Sequence, residues 1–162
     1  MTMGAGSSAI LVSNFVPDRA MYDPNIDASV NRLPGEIKPS WKWKQAWLDP
    51  NSVLRDKCLT RLAQLTFYML QQGYQQPHQS GARYGYMLTD RDLVAIRKDD
   101  AQRTVSVSRP VPWAGRGTGG QPRLTVLLAL WYLAMLASDD NGWSLNAQPG
   151  DPEDALLLAP PQ

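Results

Sequence analysis

The sequence predicts an α+β domain, a mixed α/β arrangement in which a small central mixed sheet is flanked by helices. Three observations predict it. Short β-prone runs near residues 9–16, 36–38, 84–98 and 104–111 are separated by stretches rich in Pro, Gly, Asn and Asp. Two longer stretches carry helical patterns, one amphipathic and one apolar almost all round. At 162 residues the chain is long enough for one domain with a core and too short for two comfortable ones. The expected organisation is a flexible Gly/Ser-rich leader over 1–8, one domain over 9–143 and a disordered tail over 144–162.

The elements follow in order. Residues 9–16, AILVSNFV, read as a first strand running into Pro17-Asp18, and the Asp-, Asn- and Pro-rich stretch behind it reads as a long loop. A short strand spans Glu36 to Lys38, where Pro39 removes the next ladder donor. After the Trp-rich WKWKQAW, either Asn51 or Ser52 is placed to cap a helix. In that helix, 53–72, Leu54, Cys58, Leu62, Leu65 and Met69 recur at four- and three-residue steps, and Gly73 stops it. Lys57, Arg61, Gln64 and Tyr68 form a polar stripe along one edge of the apolar face. Residues 84–98 predict a hairpin around Thr89-Asp90-Arg91-Asp92, and 104–111 alternate like a third strand. A Gly-rich loop then opens a helix from about Arg123 to Ser138, whose apolar character predicts burial against the sheet.

Composition narrows the function classes. A formal net charge of +1 offers no global field for nucleic acid, so such a partner would need a local basic patch. Cys58 is the single cysteine, which excludes an intrachain disulfide and a cysteine metal cluster and favours a reducing, intracellular location, cytoplasmic or nuclear. The N-terminal residues lack the basic segment and long apolar run of a signal peptide. The apolar run 124–137 falls short of the roughly 20 residues that a membrane span needs, so no membrane partner is expected.

The chemistry concentrates in Glu36-Ile37-Lys38. In a strand, residues i and i+2 share a face, so Glu36 and Lys38 stand side by side while Ile37 faces the opposite way, into a core. The pair is either a solvated same-face ion pair or half of an active site. Trp41, Trp43 and Trp47 could stack single-stranded bases, and such residues more often close a core or form a protein interface. His78 has no second His to pair with. GRGTGG lacks the Lys-Ser/Thr ending of a phosphate-binding loop and reads as a connector. Cys58, on the apolar helix face, reads as a buried structural thiol.

Pro17-Asp18, seventeen further residues, Glu36-Ile37-Lys38 and a following helix that carries Gln64 together resemble the PD-(D/E)XK nuclease superfamily, with its restriction-endonuclease-like fold. The resemblance covers roughly residues 9–98. GEIKPSWKW, QLTFYM and ARYGYMLTDRDLVAIR also look like segments of uncharacterised fungal proteins with such nuclease-like domains. The resemblance implies a Mg²⁺- or Mn²⁺-dependent phosphodiesterase acting on nucleic acid. Asp18, Glu36 and the Ile37 carbonyl would be its metal ligands, Lys38 would hold the attacking water, and Gln64 and Tyr68 would steady the site from the helix. Asp23 and Asp27 compete with Asp18 for the first ligand position, and the superfamily's usual N-terminal helix has no counterpart. Two other readings stay open: a degenerate fold serving as a protein-interaction module through Trp41, Trp43 and Trp47, and a small-molecule enzyme using the same acids and Lys38 beside Tyr84 and Tyr86.

Overall fold

The structure is a computed structural model that describes residues 2–5, 17–22, 30–71, 81–99, 104–115, 117, 123–139, 142 and 144. The fold class is the expected α+β: among the described residues, a seven-stranded mixed sheet with two α-helices. Strands β1 (Thr2–Ala5), β2 (Arg19–Tyr22), β3 (Gly35–Ile37), β4 (Tyr84–Leu88), β5 (Asp92–Asp99) and β6 (Thr104–Val107) lie side by side in chain order. The short β7 (Val111–Pro112) also pairs with β5. Neighbours run antiparallel except β3 and β4, which are parallel. A parallel pair needs a crossover, and α1 (Arg55–Gln71) lies within it.

Strand β1 corrects the expected leader. Thr2 to Ala5 pair with Tyr22 to Arg19 along β2. Backbone groups make this ladder, so residues as small as Gly4 and Ala5 can join it without an apolar side chain to bury. The strand expected over 9–16 lies outside the described residues, as do Asp23, Asp27, His78, most of the Gly-rich connector and the chain from residue 145 onward.

Helix α1 begins at Arg55, two residues later than its periodicity suggests, because side chains before it form local turns. Asp49 Oδ1 accepts from Asn51 N–H at 2.8 Å, Ser52 Oγ accepts from Leu54 N–H at 3.3 Å, and Arg55 N–H donates to the Ser52 carbonyl at 3.1 Å. Cys58, Leu65, Tyr68 and Met69 of this helix pack with Trp43, Met87, Val94 and Ile96. A second cluster joins Met21, Leu33, Tyr86 and Leu93 to Val126, Ala129, Leu133 and Ala137 of α2 (Val126–Ser138). Since Tyr86 and Met87, like Leu93 and Val94, are adjacent in their strands and belong to different clusters, α1 and α2 cover opposite faces of the sheet.

Helix α2 is not buried all round, as its composition led one to expect. Its sheet-facing stripe is Val126, Ala129, Leu133 and Ala137, while Leu127, Leu128, Trp131, Tyr132 and Met135 are exposed. One helix face is all that a single sheet can cover. Thr125 caps the helix, its Oγ1 accepting from Leu128 N–H at 3.2 Å. Thr125→Ala is expected to cost about 1 kcal/mol, read as a lower urea midpoint with an unchanged slope.

Candidate functional site

The site grows from β3. Register pairs Gly35 with Tyr86, Glu36 with Met87 and Ile37 with Leu88. Glu36 therefore projects with Met87 onto the face covered by α1, and Ile37 projects to the other face. The expected orientation of β3 is thus corrected: Glu36 is 1% exposed and Ile37 is 38% exposed. The alternation itself holds, but the packed face is the one that carries the charges. Helix α1 covers that face, whereas α2 on the opposite face lies against β4, β5 and β7.

A buried carboxylate needs partners, and Glu36 has two, the Lys38 ammonium and the Asp18 N–H. Its Oε1 forms an ion pair with Lys38 Nζ, and its Oε2 accepts from Asp18 N–H at 3.4 Å. The same ammonium stands 3.4 Å from Asp18 Oδ2, which also accepts from Ile37 N–H at 2.8 Å. Asp18 lies just before β2, so the closed triad Asp18, Glu36 and Lys38 ties β2 to β3. This goes beyond the solvated pair considered from sequence, because one member is buried. Burial raises the Glu36 pKa; the hydrogen bond and charge of Lys38 oppose the rise without cancelling it, and the charge of Asp18 adds to it. Burial works against the Lys38 ammonium, yet Glu36 and Asp18 outweigh it and raise the Lys38 pKa.

The helix adds a second layer. Gln64 Nε2 donates to Tyr68 Oη at 2.6 Å, and Arg61 donates to Gln64 Oε1 at 3.2 Å. Tyr68 is buried, and its pKa is raised by burial; the Gln64 hydrogen bond counteracts this, and the charges of Glu36, Lys38 and Asp18 also act on it. Those charges place Tyr68 within electrostatic reach of the triad. The expected polar stripe thus runs from exposed Lys57 and Arg61 to the buried tyrosine, with Gln64 acting through Tyr68.

Ile37 N–H points at Asp18 while Lys38 N–H donates to the Leu88 carbonyl at 2.9 Å. The N–H and C=O of one strand residue face the same side, so the Ile37 carbonyl lies along the edge occupied by Asp18. Two carboxylates and one carbonyl are oxygen donors of the kind a hard divalent ion takes. Among the described residues, no three Asp, Glu, His or Cys side chains form a group that could hold a metal. An ion here would rest on two acids, the carbonyl and water.

Sequence reasoning missed Asp90, in the β4–β5 turn. Its carboxylate accepts from the backbone N–H of Ser40 at 2.6 Å and from the Ser40 hydroxyl at 3.0 Å, bracing the segment that leaves Lys38. These bonds, the Ser40 N–H foremost, lower the Asp90 pKa. No motif marks a contact across fifty residues of sequence. The Trp-rich segment divides: Trp43 is fully buried in the α1 core, Trp47 is half-buried against it, and Trp41 is 70% exposed with the Lys42 ammonium 4.8 Å from its ring centre. Trp43 is therefore a core residue and cannot contact a partner. Cys58 is buried, its pKa pushed up to about 11 by burial, as suits a structural thiol.

With known proteins, the chain shows no match to a family model, a curated protein or a solved structure. Among the described residues no helix is long and apolar enough to cross a membrane.

Proposed function

We propose that the chain is a divalent-metal-dependent phosphodiesterase of the PD-(D/E)XK type, acting on nucleic acid inside the cell. The observation that carries this reading is the convergence of Asp18, Glu36 and Lys38, eighteen and two residues apart in sequence, at one point of the sheet. The parallel β3–β4 pair has α1 between its strands, Tyr68 of that helix feels the charges of all three residues, and Gln64 donates to the Tyr68 hydroxyl.

Asp18, Glu36 and the Ile37 carbonyl would hold Mg²⁺ or Mn²⁺, which would acidify a bound water and offset charge on a phosphoryl group. The remaining roles belong to the chain. Lys38, with its raised pKa, stays an ammonium at neutral pH, so it positions a phosphate oxygen or the attacking water and does not act as a base. Tyr68 stays protonated and offers a hydroxyl donor. Trp41 and Lys42 provide a stacking face and a cation for the nucleic-acid chain.

One observation favours a second reading. Lys38 already pairs with both carboxylates, a closed arrangement that suits a non-catalytic module. Calorimetric titration of Mg²⁺ and Mn²⁺ into the wild type and Glu36→Ala, with cleavage of single- and double-stranded DNA followed on the same samples, separates the two. Saturable binding and cleavage, both lost in a folded Glu36→Ala, are the expected result. A folded wild type that neither binds nor cleaves would overturn the nuclease reading in favour of the module.

A further inference from the structure

Two exposed indoles are anchored to one turn. Residues 89–92 join β4 to β5, and Trp113, just past β7, donates its Nε1–H to the Thr89 carbonyl at 2.9 Å and its backbone N–H to the Arg91 carbonyl at 3.0 Å. On the other flank, Asp90 accepts from the N–H and the hydroxyl of Ser40, the residue before Trp41. The Lys42 N–H closes on the Pro39 carbonyl at 2.8 Å, and buried Trp43 ties the same segment to the core. Trp113 is still 45% exposed and Trp41 more so, so the fold holds the two rings in place and leaves them in water.

The charges beside the rings identify the occupant. Lys42, Lys44 and Arg91 are exposed, and residues 39–48 contain no acid. Both acids of the turn are engaged within the protein: Asp90, though exposed, by Ser40, and Asp92 Oδ1 by the Thr89 hydroxyl at 2.7 Å. The solvent side therefore presents two π faces interleaved with cations. Single-stranded nucleic acid matches both, since unpaired bases stack on aromatic rings while phosphates meet the cations. A protein partner fits less well, because interface cores are depleted of Lys and Asp. A duplex hides its base faces in the stack, and this near-neutral chain has little field to hold one by its phosphates alone.

We propose that Trp41 and Trp113, with Lys42 and Arg91, bind a single-stranded nucleic-acid segment, one unpaired base against each indole and the phosphates toward the two cations. Holding the rings in advance reduces the ordering cost of binding. Their place in the fold agrees. The Lys38 N–H donates to the Leu88 carbonyl at 2.9 Å, and β3 runs parallel to β4, so the triad and the turn lie at the same end of the sheet. A nucleic-acid strand lying along the turn passes beside Lys38. As a substrate-binding surface this rests on the nuclease reading and names single strands as the substrate class; as a binding surface it rests on the turn.

Fluorescence anisotropy of labelled oligo(dT), oligo(U) and a duplex, each of about 15 nucleotides or base pairs, titrated with the full chain in EDTA, tests the proposal. Wild type is expected to bind either single strand at least about 10-fold more tightly than the duplex, and Trp41→Ala and Trp113→Ala each to lose about 10-fold. Lys42→Gln/Arg91→Gln should lower the slope of log K against log salt by about 1.4. Trp131→Ala, which removes an exposed indole from α2, should bind as wild type does. A wild type that binds no single strand, or that binds the duplex equally, overturns the proposal, as does an equal loss in Trp131→Ala or no loss in Trp41→Ala and Trp113→Ala folded by circular dichroism. Cleavage with Mg²⁺ separates the two readings. Single-strand binding that fails in the two Trp variants, in a wild type that does not cleave, would remove the nuclease reading and keep this surface; cleavage undiminished in those variants would do the reverse.

Discussion

Lys38→Met is expected to lower the unfolding free energy at pH 7 by about 3 kcal/mol, the cost of leaving a buried charge without its partner. Glu36 is buried, and the ammonium is its counter-charge. Without Lys38, the carboxyl faces burial and the Asp18 charge with one hydrogen bond from Asp18 N–H remaining, so its pKa climbs further. The sign follows by linkage. A carboxyl whose folded pKa is raised binds more protons folded than unfolded, so stability declines as pH rises from the ordinary Glu value, 4.5, through the folded value. In Lys38→Met that decline is larger, and the gap from wild type narrows towards pH 4. The raised Lys38 pKa acts at the other end. Its contribution is complete below the unfolded value, 10.5, and is lost as pH rises through the folded one, so the variant lacks that alkaline loss.

Lys38→Met/Glu36→Leu is expected to recover most of the loss, since apolar replacement of both members removes the unpaired charge. Urea unfolding of the two single variants, the double variant and wild type between pH 4 and 10 measures the cycle. Additive losses would show that Glu36 and Lys38 are not coupled in the folded protein.

Gly35→Ala has the second large effect. A Cβ at Gly35 would overlap the ring and hydroxyl of Tyr86, with ring carbon Cε1 only 2.6 Å away. Tyr86 is 1% exposed in the α2-side core, where burial also pushes its pKa up to about 12, so the ring has little room to swing aside. Overpacking of this kind costs about 3 kcal/mol, which for a chain this long lowers the thermal midpoint by roughly 6–12 °C. Tyr86→Phe in the Gly35→Ala background should restore little, because ring carbons remain in the way, whereas Tyr86→Leu should restore part. Differential scanning calorimetry of the three variants decides it, and a Gly35→Ala midpoint equal to wild type would mean that β3 does not lie against Tyr86. Because Gly35 adjoins Glu36, the same displacement would disturb the triad. The glycine is thus a packing requirement for the site as well as for the strand.

Much of the architecture was legible because it rests on local periodicity. The four- and three-residue steps from Leu54 to Met69 announced α1, the Thr89 to Asp92 turn announced the β4–β5 hairpin, and the apolar run behind Thr125 announced α2. Alternation also placed Glu36 and Lys38 on one face of a strand. Which face would be buried was not legible. A two-residue period says which side chains travel together, and in a sheet covered on both sides it leaves open which helix covers them. Expecting Ile37 inside followed hydrophobicity, yet the crossover through α1 buried Glu36, and burial is tolerated because the Lys38 ammonium and the Asp18 N–H converge on it.

By itself, the sequence determined that this chain forms an α+β domain with a charged pair on a short strand, a polar stripe on the next helix and an apolar helix near its end. Tertiary structure alone decided that Glu36 is the buried member of the pair and that Asp18 closes on it, that Asp90 braces the exit from Lys38, and that α2 keeps one apolar face in the open. The physical reason is one of range. Helical and strand periods are written within a few residues, whereas the Asp18 and Asp90 contacts and the cover of a helix face come from chain many residues away and depend on how the layers stack.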